Sequence, residues 1–227
     1  SDLDIRIWEI GAGLCVRIRT PSGHTHIIDA GCSDNFSPAE HIYFNHWRDG
    51  DTLDYLIISH QDADHTADLP NIKKYLGEPR VYLRNKTVPD NEKYGILQRL
   101  YQKILKLFDE KYTATIDWAN DPRNQDVNGG VKIEHAFLSW EEAKTINNTS
   151  IVVAYSYKNI MVIFPGDIED YGWNEFIRKK PELFNEMLKE SHTVILIAPH
   201  HGRPSGYSQN MIDYFKPDLV VISDGYG

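Results

Sequence analysis

Residues 59–70 read SHQDADHTADLP, and His60, Asp62, Asp64 and His65 fall within six positions, directly after the apolar run Leu53 to Ile58. Imidazole and carboxylate are the groups that bind divalent first-row cations, and four of them on one tight turn can face a single point. Burying several such groups with no cation is costly, because desolvated carboxylates repel one another. The competing reading is a polar surface turn in which Asp64 caps the helix that follows.

Three further stretches repeat the arrangement. HIIDAG (26–31) places Asp29 at the end of an apolar strand, IMVIFPGDIED (160–170) places Asp167 after another, and VILIAPHHG (194–202) ends a third at His200, His201 and Gly202. Sites of α/β folds are built beyond the carboxyl ends of strands. Four separate strand ends carrying ligand-type residues make one convergent site the economical explanation. The two cysteines, Cys15 and Cys32, are too few for a disulfide framework and read as small buried thiols, which sets a reducing, cytoplasmic location as the default.

In the order D, HxDxDH, GD, H, this set resembles the metallo-β-lactamase fold superfamily. With Asp62 in the middle of the motif, it is similar to the branch that contains the ComEC competence hydrolase domains. The likeness extends to IGAGLCVRIRTPSGHTHIIDAG (10–31), to NNTSIVVAYSYKNIMVIFPGDIE (147–169), to APHHG and to VVISDG, and so covers nearly the whole chain. Departures are present too. DHTAD stands where DHxGG is usual, Leu14 stands where the glycine opening carries an acid, and Asn147 or Asn148 occupies about the place of the middle histidine ligand, with His135 nearby.

The resemblance implies two divalent metal ions, Zn or Mn, holding a bridging hydroxide as nucleophile. His60 and Asp62 would bind the first metal. Asp64 and His65 would bind the second, with a histidine of the HHG triplet, and Asp167 would bridge both. Either His200 or His201 can be that ligand; a histidine followed by glycine favours His201, leaving the other as a proton donor. Asp29 would orient a ligand histidine, and Arg203 could clamp a phosphate oxygen. A phosphodiesterase or nuclease acting on DNA, RNA or a small phosphodiester is the reading that follows. A thioester, lactone or headgroup-ester hydrolase is the alternative, and a weakly catalytic subunit with a protein partner in a larger complex is the third.

The remainder of the chain agrees with one α/β domain over residues 1–227, an αββα sandwich. The pattern predicts strands in the first 30 residues and at 53–59, 80–83, 131–138, 150–156, 159–164, 193–198 and 218–223. Helices are expected at 37–47, 66–76, 96–108, 169–188 and 207–214. Relatives of this branch add a strand and a helix, which are expected beyond Gly227. No apolar run approaches the roughly 20 residues that span a bilayer. A net charge of −9 argues against a protein that coats nucleic acid. The segment from Asn71 to Lys106 is locally basic, carrying Lys73, Lys74, Arg80, Arg84, Lys86, Lys93, Arg99, Lys103 and Lys106 against Glu78, Asp90 and Glu92, and could form a wall for a polyanion.

Overall fold

Strands that bury both faces organise the molecule. In a computed structural model describing residues 2–89, 95–111 and 116–223, strand β4 (Leu53–Ile58) is buried along its whole length. Tyr55 and Ile57 face one hydrophobic cluster, while Leu56 and Ile58 face another, which Leu53 joins across a register shift beside Thr25. Period-two alternation between two apolar faces is what a strand covered on both sides requires. β4 stands inside a five-stranded sheet ordered β1 (Asp4–Ile7), β2 (Val16–Arg19), β3 (Thr25–Ile28), β4, β5 (Val81–Arg84). The second sheet is ordered β10 (Leu219–Val221), β9 (Thr193–Ile197), β8 (Ile160–Phe164), β7 (Val152–Tyr157), β6 (Lys132–Ala136). Both sheets are mixed: β3, β4 and β5 run parallel, as do β8, β9 and β10, and the remaining pairs are antiparallel.

Val16, Ile18, Ile28, Tyr55, Ile57, Val153, Tyr155 and Phe164 form the core between the sheets. Helices α1 (Pro38–His46), α2 (Ala63–Thr66), α3 (Leu69–Asn71) and α4 (Ile96–Lys111) lie on the first half. There Ile42, Leu69, Tyr101, Ile104, Leu105 and Phe108 share a cluster with Leu53, Leu56 and Ile58 of the first sheet. Helices α5 (Trp140–Ala143), α6 (Asp170–Lys179), α7 (Asn185–Glu190) and α8 (Gln209–Phe215) belong to the second half. Trp173, Phe176, Met187 and Phe215 pack there on Val152, Ala154, Met161 and Ile163. The result is the expected αββα layering.

Three local expectations are corrected. The helix foreseen over 66–76 begins earlier, at Ala63 inside the motif, and is broken into α2, α3 and a wide turn at Ile72–Leu76. The helix foreseen over 169–188 ends at Lys179, before Pro181, and resumes as α7. The apolar stripe of α4 is buried only from Tyr101 onward; Ile96 is 80% and Leu97 64% exposed. The basic run does not stay unopposed: Arg80 is ion-paired with Asp54 at 3.0 Å, and Arg84 and Lys86 both meet Asp109. Lys93, Asp90 and Glu92 lie outside the described residues. Both cysteines are free thiols, Cys15 buried and Cys32 half-buried.

The core between the sheets also holds a histidine. His26 is fully buried, with Nδ1 3.0 Å from the Tyr155 hydroxyl, and burial pushes its pKa down to about 3. A histidine neutral in the fold but free to charge when unfolded contributes stability that is fully present above about pH 6.5 and is lost as pH falls towards 3. The loss is about 1.4 kcal/mol per pH unit at most. Thermal melts between pH 7 and pH 4 should therefore show a steeper decline for the wild type than for His26→Phe. Parallel declines would contradict this origin of acid sensitivity.

Candidate metal centre

The site forms where four strands end. Asp29 follows β3, His60 to His65 follow β4 and make the start of α2, Asp167 follows β8, and His200 and His201 follow β9. At the centre lies the Asp167 carboxylate, nearly buried, with four imidazoles around it. His65 Nε2 is 3.2 Å from Oδ1, while His201, His60 and His200 present Nε2 at 3.4, 3.8 and 3.8 Å from Oδ2. Asp64 and Asp62 stand at the more exposed rim, Asp64 Oδ2 3.5 Å from His201 Nε2 and Asp62 Oδ2 3.6 Å from His60 Nε2.

One compact group of ligand-type atoms includes Asp167, and a looser set of contacts through His60 reaches the same carboxylate. Atoms of Asp64, His65, Asp167 and His201 all lie within 4.8 Å of one another. Metal–ligand bonds of about 2.0–2.2 Å put tetrahedral donors about 3.3–3.6 Å apart, so several of these separations suit a cation with little movement. The other group is His60, Asp62 and Asp167. His60 Nε2 is buried there and has no hydrogen-bond partner among the described residues. An unpaired, desolvated imidazole nitrogen aimed at two carboxylates is the expected mark of a cation position. The alternative in which Asp64 caps the helix does not hold. Asp64 lies within α2, and Asp62 occupies the cap position without making a side-chain capping bond.

The rings are held from behind. Asp29, wholly buried, accepts from the Ser59 amide at 2.6 Å and the Ser59 hydroxyl at 2.7 Å, and its Oδ2 lies 2.7 Å from His65 Nδ1. Ser59 Oγ lies 3.1 Å from His60 Nδ1. These contacts leave Nε2 of each ring facing inward, as carboxylate-oriented metal histidines do. Asp29, His200 and His201 have φ of 60°, 49° and 57°. Left-handed backbone at non-glycine residues costs energy and collects at functional sites.

Charge at the cluster is strongly coupled. Burial opposes ionisation of Asp167, but His65, His201 and His60 outweigh it and hold the carboxyl well below its ordinary range. Burial likewise works against Asp64, which its His201 contact and the nearby His65 bring down to about 2. Burial disfavours the charged form of His201, yet Asp167 and Asp64 raise its pKa to about 9. A cation held by these residues would compete with protons for the same sites.

Arg203 Nη1 lies 3.3 Å from His200 Nε2, on the exposed side of the cluster. Asn148 is turned away: its Oδ1 accepts the Glu169 amide at 2.9 Å. His135 is exposed on β6. His24 pairs with Asp54 at 3.3 Å, and His46 lies beside Arg6. The feature that sequence reasoning missed is the latch behind the motif. Gly13 and Gly31 both press on the Asp64 carbonyl, where an added Cβ would fall 2.4 and 2.2 Å away, and the Leu14 amide donates to that carbonyl at 3.3 Å. The glycines of IGAG and IDAG were the available signal.

The profile of the metallo-beta-lactamase superfamily matches residues 8–214. The chain is 23% identical over 239 residues to competence protein ComA of Neisseria gonorrhoeae, covering 100% of this chain and 28% of ComA. It is 25% identical over 178 residues to recombination protein 2 of Haemophilus influenzae, covering 78% and 18%. The chain thus spans less than a third of the length of these curated relatives. Among solved structures, a CmlA beta-hydroxylase mutant is 18% identical with a TM-score of 0.51, over 98% of this chain and 46% of that one, a likeness of fold.

Proposed function

The chain belongs to the metallo-beta-lactamase superfamily, and from that premise we propose that it is a divalent-metal-dependent hydrolase of phosphodiester bonds, with nucleic acid as its substrate class. One observation carries the reading: a single carboxylate, Asp167, is shared by two groups of inward-facing ligand atoms. His60 and Asp62 would hold one cation, Asp64, His65 and His201 the other, and Asp167 both. Divalent cations supply Lewis acidity, polarising a phosphoryl oxygen and lowering the pKa of water. With three carboxylates in the set, manganese suits the site as well as zinc.

The chain's own residues do the rest. Asp29 and Ser59 fix His65 and His60 in the tautomer that presents Nε2 inward. Asp62 and Asp64, at the more exposed rim, leave the cluster open on the side where a substrate must enter. Arg203 stands beside His200 on an exposed flank of the cluster, and its guanidinium can take a non-bridging phosphate oxygen, neutralising charge that grows as phosphorus becomes pentavalent. The name of the ComA relative, a competence protein, supports nucleic acid as the polymer. The net charge of −9 favours a small diester.

The test is cleavage of single- and double-stranded DNA, RNA and a chromogenic phosphodiester with added Mn or Zn, beside Asp64→Ala. Polynucleotide cleavage that the substitution lowers by about 10³-fold is the expected result. Turnover of the small diester alone would replace nucleic acid with a smaller substrate. Silence on all four with metal bound would overturn the phosphodiesterase reading in favour of a thioester or lactone hydrolase or a binding subunit.

A further inference from the structure

The two cation positions are unequally furnished. Asp64, His65, Asp167 and His201 give one of them four donors. The other has His60, Asp62 and the shared Asp167. The segment that should supply its remaining donor does not. Asn148 Oδ1 is committed to the Glu169 amide and packs against Gly172, where even an added Cβ would come within 2.4 Å of it. Asn147 Nδ2 points to Glu169 Oε1 at 3.5 Å. Yet His60 Nε2 remains buried without a hydrogen-bond partner among the described residues.

We propose that His200 supplies the missing donor, so that His60, Asp62, Asp167 and His200 form the second cation position of a dinuclear site. The inference rests on the metal-centre reading above and deepens it. His200 Nε2 and His60 Nε2 lie at the same distance, 3.8 Å, from the same oxygen, Asp167 Oδ2. The His200 ring is oriented from its far side: Ser205 Oγ lies 2.8 Å and Glu169 Oε1 3.7 Å from Nδ1. With Nδ1–H directed at those oxygens, Nε2 keeps its lone pair and faces the cluster. The backbone is bent to the same end. His200 and His201 both adopt left-handed φ/ψ, and the His200 amide donates to the Gly166 carbonyl at 3.1 Å. Two adjacent side chains are thereby brought to one carboxylate, with ring centroids 6.2 Å apart.

This arrangement also gives Arg203 a task. Its Nη1 is now 3.3 Å from the His200 Nε2 lone pair. With the His200 lone pair given to a cation, the Arg203 guanidinium would be free for an anionic oxygen of the substrate. His200 then acts as a ligand and not as the proton donor of the reaction.

The experiment is calorimetric titration of the chelator-stripped full chain with Zn²⁺ and with Mn²⁺, with bound metal counted by mass spectrometry. It compares the wild type, His200→Asn, Ser205→Ala and the surface control His192→Asn. Asparagine tolerates left-handed backbone, so His200→Asn keeps the turn, and a thermal melt verifies it. The wild type and the control should bind two equivalents. His200→Asn should keep one at unchanged affinity and weaken the other by at least about tenfold, and Ser205→Ala should weaken the same one to a smaller degree. If His200→Asn binds both equivalents as the wild type does, the inference fails and the metal centre stands. If the wild type binds none, the metal-centre reading itself fails.

Discussion

Asp167→Asn is expected to lower hydrolysis by about 10³-fold or more, a loss of the size seen when a preorganised charge is removed from a reaction centre. The Asp167 carboxylate lies within 3.8 Å of all four imidazoles, alone in this among the described residues. Asparagine has nearly the same shape, and the backbone N–H of residue 167 still donates to Ser150 Oγ at 3.0 Å. What disappears is the negative charge between the two proposed cation positions. Each position then keeps imidazoles and a rim carboxylate with no shared anion, and two nearby cations repel without a bridge. The fold should survive, because Asp29 still faces His65 at 2.7 Å. Steady-state rates and bound-metal counts check the prediction together. A variant within tenfold of wild type, with two metals retained, would remove Asp167 from the centre of the account.

The second large effect comes from a methyl group. Gly31→Ala would place Cβ 2.2 Å from the Asp64 carbonyl oxygen and 2.8 Å from the Leu14 carbonyl oxygen. Both are backbone atoms, so no flexible side chain can swing aside. Either Asp64 and the start of α2 move outward, or the turn after β3 does. Overpacking of this kind costs about 1–3 kcal/mol, and in a domain of this size each kcal/mol lowers Tm by about 2–4 °C. We expect a Tm lower by about 5–10 °C and metal affinity weakened by at least about tenfold, because Asp64 and His65 ride on the displaced segment. Gly95→Ala, where nothing among the described residues lies within 4 Å, is the matched control and should change neither quantity. Equal behaviour of the two variants would mean that the latch does not set the position of the motif.

The strand ends were legible because their signal is local: an apolar run, then a ligand-type residue, four times over. The reason for DHTAD in place of DHxGG was not. Asp68 is fully buried and accepts from the Ser37 hydroxyl at 2.8 Å, the Ala39 amide at 2.9 Å and the Asn71 side chain at 2.8 Å. It therefore ties the start of α1 to the loop that carries the candidate ligands. Its partners Ser37 and Ala39 stand 31 and 29 residues away, beyond any local pattern. The break between α2 and α3 follows from the same anchoring, since Asp68 also donates its amide to the Ala30 carbonyl at 2.7 Å. Nor could spacing decide between His200 and His201. Two adjacent residues face one point only in the left-handed turn that the three-dimensional structure shows. The exposed first turn of α4 misled in the opposite direction, for Ile96 and Leu97 continue the helical spacing without meeting a partner in the core.

Whether this cluster is a dinuclear metal centre is decided most directly by anomalous diffraction from crystals grown with Mn²⁺ or Zn²⁺, recorded at the absorption edge of the metal. The account predicts two peaks, one on each side of the Asp167 carboxylate. One should be ligated by Asp64, His65 and His201, the other by His60, Asp62 and His200. Density free of anomalous signal at Asp167, under conditions where the metal saturates the protein in solution, would contradict it.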